Sequence, residues 1–117
     1  MDFAPGLEVD SEMGEFRATL VDSETGAPFV GKNVWSIAVE SLGDAGVPEI
    51  SVEPYMPDHG HGSAVTPEIS DADDGTMRVA NIDLFMSGYW EIRVKGSWPG
   101  TETRADQAVF GLSLIHI

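Results

Sequence analysis

Apolar and polar residues alternate along much of the chain with a period of two. Phe16, Ala18 and Leu20 share one parity, and Trp35, Ile37 and Val39 repeat the pattern. Ile50 and Val52 follow, then Met77 and Val79. Trp90, Ile92 and Val94 interleave with Glu91, Arg93 and Lys95, and Ala108 and Phe110 close the series. In an extended backbone, successive side chains point to opposite faces, so each run has one apolar and one wet face. No run sustains the spacing of three and four that an amphipathic helix requires. Turn-forming clusters separate the runs: Glu24-Thr25-Gly26-Ala27-Pro28, Gly43-Asp44-Ala45-Gly46-Val47-Pro48 and Asp71-Ala72-Asp73-Asp74-Gly75. Short strands punctuated in this way predict an all-β antiparallel β-sandwich of about seven strands with Greek-key connections, a small closed barrel being the alternative. Trp35, Ile37, Val39, Trp90, Ile92 and Phe110 are expected in one core.

A chain of 117 residues, 42% of them hydrophobic, is enough for one domain with its own core. Residues 1–14 read as a linker or disordered segment, and 15–111 as the domain. Residues 112–117, Leu-Ser-Leu-Ile-His-Ile, coincide with the translation of a transposase mosaic-end sequencing adapter. They are expected to be foreign to the domain and are set aside from functional reasoning. With His116 excluded, His59 and His61 are the histidines that remain.

Charge narrows the partners. Six basic residues face twenty acidic ones, a net charge of −14. Nucleic acid and anionic membranes call for basic patches, so neither is expected as a partner, whereas cationic partners and metal ions are favoured over long range. No apolar stretch is long enough to span a membrane. Cysteine is absent, which removes disulfides, thiolate metal sites and cysteine nucleophiles. No Gly-x-Ser-x-Gly, phosphate-loop or His-Glu-x-x-His pattern occurs, and no residue is assigned a catalytic role.

The segment Met56-Pro57-Asp58-His59-Gly60-His61-Gly62 carries the most chemistry. In extended backbone, residues two apart share a face, so both imidazoles can converge on one ion. Gly60 and Gly62 allow the loop to turn tightly. Met56 precedes the pair, and Met86 lies in Leu84-Phe85-Met86-Ser87-Gly88-Tyr89-Trp90. Imidazole and thioether together suit copper, and thioether suits Cu(I). The competing reading is that both histidines brace the loop through backbone hydrogen bonds while the methionines fill core space. The acidic run Asp71–Gly75 departs from the spacing of a calcium-binding EF-hand loop and reads as a solvated turn. Trp98 falls in the turn Gly96-Ser97-Trp98-Pro99-Gly100, where exposure is expected.

The two pieces Tyr55–Gly62 and Leu84–Ile92 resemble the paired signatures of YtkA-like domains, a family related to FixH. These typically read Met-Pro-x-His/Met-x-His/Met early and Phe-x-Met-x-Gly-x-Trp late. The resemblance spans roughly residues 16–110. It implies an immunoglobulin-like sandwich, non-catalytic, placed in the bacterial periplasm or cell envelope by an upstream signal or anchor. It also implies copper handling near respiratory proteins. Carried over residue by residue, its candidate metal ligands are Met56, His59, His61 and Met86. The alternative function is a purely structural or protein-interaction module in which the His-x-His loop is a brace.

Overall fold

The alternating runs become strands because each can bury its apolar parity against a second sheet. The computed structural model describes residues 5–44, 46–72, 75–98 and 104–114. Among them are nine strands: β1 (Glu8–Asp10), β2 (Phe16–Ser23), β3 (Gly31–Ser41), β4 (Glu49–Met56), β5 (His61–Gly62), β6 (Glu68–Asp71), β7 (Met77–Leu84), β8 (Gly88–Trp98) and β9 (Arg104–Leu114). One sheet has the order β1-β2-β3-β7-β6 and the other β5-β4-β8-β9, with every pairing antiparallel.

With the short β1 and β5 set aside, the first, second, fifth and fourth of the remaining strands share one sheet. The third, sixth and seventh share the other. This is the order of an immunoglobulin constant-type sandwich. The two strands that carry the inter-sheet disulfide in antibody domains are here β3 and β8. They contribute Trp35 and Trp90, both fully buried. Indoles thus occupy the middle of a cysteine-free core.

That core draws Phe16, Ala18, Leu20, Trp35, Ile37, Val79, Ile82 and Leu84 from one sheet. Val52, Met56, Trp90, Ile92, Val94, Ala108, Phe110, Leu112 and Leu114 come from the other. Val39, expected at the centre, is only partly buried and packs on the core's margin, near the end of β3. In β7 the inward positions change parity, from Val79 to Ile82 and Leu84. A bulge explains this. The β3–β7 register shifts between Asn33 and Trp35, and Asn81 takes φ 58°. Asparagine tolerates that left-handed conformation better than other residues with a side chain, apart from aspartate.

Three sequence expectations are corrected. The presumed linker contains β1, whose Glu8, Val9 and Asp10 pair with Thr19, Ala18 and Arg17. The strand after Val109 continues through Leu114, with Leu112 opposite Trp90 and Leu114 opposite Gly88. Both leucines are buried, so the tail's first three residues complete the sheet whatever their origin. Residues 115–117 lie outside the described residues. Trp98 ends β8 rather than standing in a turn. Its ring meets Phe16 edge-on at 6.3 Å and its Nε1–H donates to the Gly46 carbonyl at 2.9 Å. Asp73 and Asp74 of the acidic turn lie outside the described residues. Among those described, no helix is long and apolar enough to cross a membrane.

Candidate metal centre

The β4–β5 hairpin is built by its prolines and glycines. Pro57 supplies the φ favoured at the second position of a β-turn, and the turn closes with the His59 N–H donating to the Met56 carbonyl at 3.1 Å. The Gly60 N–H reaches the same carbonyl at 3.0 Å, and Gly60 then turns left-handed at φ 66°. Pro54 lies just where β5 ends. Its carbonyl accepts from the Ser63 N–H at 3.2 Å, and its missing N–H faces the side where the partner strand stops. The pair of imidazoles therefore flanks a left-handed glycine in a tight loop. The sequence reading had them on an extended strand. The rings nevertheless come together, with centroids 5.6 Å apart at 38°.

Register fixes what lies beneath them. His61 pairs with Met56, so their side chains leave the same face of the hairpin. Met56 points into the core, 1% exposed, with its terminal methyl against Gly88, where an added Cβ would approach it to 2.9 Å. One step beyond the Tyr55–Glu91 pair, Met56 faces Trp90 across the β4–β8 ladder. His61 reaches over the rim of the core and stacks on Phe85 at 5.8 Å and 21°. Phe85 in turn meets Trp90 edge-on at 5.4 Å. Trp90 donates its Nε1–H to the Met86 carbonyl at 3.0 Å, which ties the β7–β8 loop to the core. Met86 is partly buried on that core.

Both motifs thus meet at one end of the sandwich. His59 and His61 stand exposed, Met56 lies under the hairpin, and Met86 follows the ring that stacks on His61. Tyr89 points elsewhere: its hydroxyl lies over Gly111 on the outer face of β9. Phe85 was not singled out from the sequence. Its signal was its place between Leu84 and Met86 in the second motif, but alternation alone cannot show that an exposed phenylalanine meets a histidine from another sheet position.

Imidazole nitrogen and thioether sulfur are donor types that suit a soft ion. Two imidazoles that each place a nitrogen about 2 Å from one ion hold their centroids roughly 5–6 Å apart, and the pair has that spacing. No three His, Cys, Asp or Glu side chains converge among the described residues. The His61 Nδ1 lies 3.3 Å from the Gly62 carbonyl, a long contact that leaves Nε2 as the better-placed donor to an ion.

A cleft of about 220 Å³ runs beside the base of this hairpin, lined by residues that include Pro54, Ser63 and Lys95, and does not include either histidine. A larger one of about 520 Å³, lined by residues that include Met13, Lys95 and Asp106, is at the opposite end of the second sheet. Comparison with protein-family models, with curated proteins and with solved structures gives no match for the chain.

Proposed function

We propose that this chain is a non-catalytic β-sandwich domain that holds a copper ion, as Cu(I), between His59 and His61 with thioether support. The observation that carries this reading is the convergence of the two imidazoles at one sandwich end that also holds Met56 and Met86. Met86 is the better candidate for the sulfur donor, because its loop touches His61 through Phe85 and it is not sealed in the core. Met56 would act from below, as a packed thioether within reach only if the hairpin shifts. Copper would supply a soft Lewis-acidic centre. The protein's own part is to hold two nitrogens at a fixed spacing and to keep one side of the site dry with Phe85 and Trp90. The resemblance to YtkA-like domains adds an envelope location and a respiratory protein partner to this proposal.

A second reading has an observation of its own. The parallel stack of His61 on Phe85 closes the hairpin against the β7–β8 loop without any ion. The pair would then be a structural brace. A Cu(I) titration against a competing chelator separates the two, run on wild type, His59→Ala, His61→Ala, Met86→Ala and Met56→Leu. The metal reading expects affinity to fall by about tenfold or more in each histidine variant and measurably in Met86→Ala. The brace reading expects no histidine-dependent affinity and a loss of stability in His61→Ala alone. Dependence on the histidines without Met86 would point to Zn²⁺ or Cu(II) at a simple two-histidine site.

A further inference from the structure

The same end of the sandwich carries an apolar surface that the metal reading does not use. Phe29 and Val30, in the loop between β2 and β3, are each 42% exposed, and Phe85 is 44% exposed. Gly31 pairs with Leu84, so Val30 and Phe85 are the next residues beyond that pair, where β3 begins and β7 ends. From Phe85 the surface continues through the stacked His61 ring to His59. Phe29 lies back across Gly31, where an added Cβ would come within 2.7 Å of the ring.

This turn is held rigid. Asn33 is fully buried and spends its amide on it. Its Nδ2 donates to the carbonyls of Phe29 at 3.0 Å, Gly31 at 3.0 Å and Ile82 at 3.4 Å, and its Oδ1 accepts from the Phe29 N–H at 3.3 Å. A buried amide must satisfy itself somewhere, but here nearly all of its capacity fixes two large apolar side chains in water. Apolar surface kept exposed and preorganised marks a site of contact, because the ordering is already done before a partner arrives.

Charge selects the occupant. The chain's net charge is −14. Four of its cations are engaged in ion pairs: Arg17 with Asp10, Arg78 with Glu24, Arg93 with Glu91 and Glu53, and Lys95 with Glu53. Lys32, next to the turn, stands across from Asp83. A second copy would bring the same negative field, and like fields repel. We propose that Phe29, Val30 and Phe85, with the His59–His61 hairpin, form a docking face for a basic protein partner that inserts an apolar side chain. The proposal stands without a metal.

Selection of short random peptides by display on the full chain provides the test, followed by titration of the most enriched synthetic peptide into isotope-labelled protein. Enriched peptides should combine Lys or Arg with an apolar anchor, bind less tightly as salt is raised, and shift the resonances of Val30, Gly31, His61 and Phe85. Affinity should drop by about tenfold in Val30→Ser and in Phe85→Ser, and stay unchanged in Val47→Ser, an exposed apolar control on the far side of the fold. The resonance map on wild type decides the matter if either serine variant is misfolded. Acidic or neutral binders, shifts confined to other surfaces, recovery of no binder, or self-association of the wild type abolished by Val30→Ser would each overturn the proposal.

Discussion

Gly60 and Gly62 look alike in the sequence, yet they serve the hairpin for different reasons. Gly60 takes φ 66° with open space around its Cα, so Gly60→Ala should cost about 1 kcal/mol from backbone strain and leave the fold intact. Gly62 has no such φ. A Cβ there would meet the Pro54 carbonyl at 2.9 Å, and a backbone atom cannot swing away as a side chain can. Gly62→Ala is therefore expected to push β5 off β4 and break the His61–Phe85 stack. Nuclear Overhauser contacts between those two rings check this: they should survive Gly60→Ala and vanish in Gly62→Ala. Asn33 is the other decisive residue. Its replacement by alanine takes this donor from the carbonyls of Phe29, Gly31 and Ile82, the last of these bonds being buried, and urea denaturation should show a loss of about 2 kcal/mol or more. A loss within a few tenths of a kcal/mol would mean that the Phe29–Val30 turn holds itself.

At the scale of elements, much was legible because period-two alternation reports burial directly. The apolar parities of β2, β3, β8 and the middle of β9 were read from the sequence, and their residues form the core. Val39 and the end of Trp98's strand were harder, because alternation does not say where a sheet's edge or end falls. β1 was missed because Glu8-Val9-Asp10 is mostly polar and is held chiefly by its neighbours. Asp106 shows how. Burial pushes its pKa up, but the Ser11 hydroxyl and the backbone N–H groups of Met13, Gln107 and Glu15 outweigh burial and leave the pKa lowered. Those bonds tie the turn after β1 onto β9, with Met13 at 3.0 Å and Glu15 at 3.3 Å. A folded-state pKa below the unfolded one contributes stability above the ordinary aspartate value of about 3.9, and that stability is lost as pH falls through the folded value. Asp106→Asn should therefore be less stable than wild type at neutral pH. The gap should close in acid, which thermal melts across pH can follow. The end of β9 makes a separate prediction. Removing Leu112 to Ile117 takes two buried leucines from beside Trp90 and Gly88 and should cost about 3 kcal/mol or more. A truncated chain as stable as the full one would show that Leu112 and Leu114 add nothing to the core.

For the whole molecule, the sandwich topology does what neither motif can do alone. The first motif ends a strand of one sheet, and the second links β7 of the opposite sheet to β8. Because β8 pairs with β4, both arrive at the same end. That the His59–His61 loop and the Leu84–Trp90 segment would gather at one end of a sandwich was expected from the sequence. That Phe85 would be the contact, and that Met56 would lie sealed below the imidazoles, was not, since both depend on register and burial. The central claim is that the two imidazoles and a thioether hold one soft ion. X-ray absorption at the copper edge of Cu(I)-loaded protein tests it most directly. The account predicts nitrogen and sulfur in the first coordination shell, with the sulfur contribution lost in Met86→Leu and kept in Met56→Leu. A shell of nitrogen or oxygen alone in the wild type, or a sulfur contribution untouched by Met86→Leu, would contradict it.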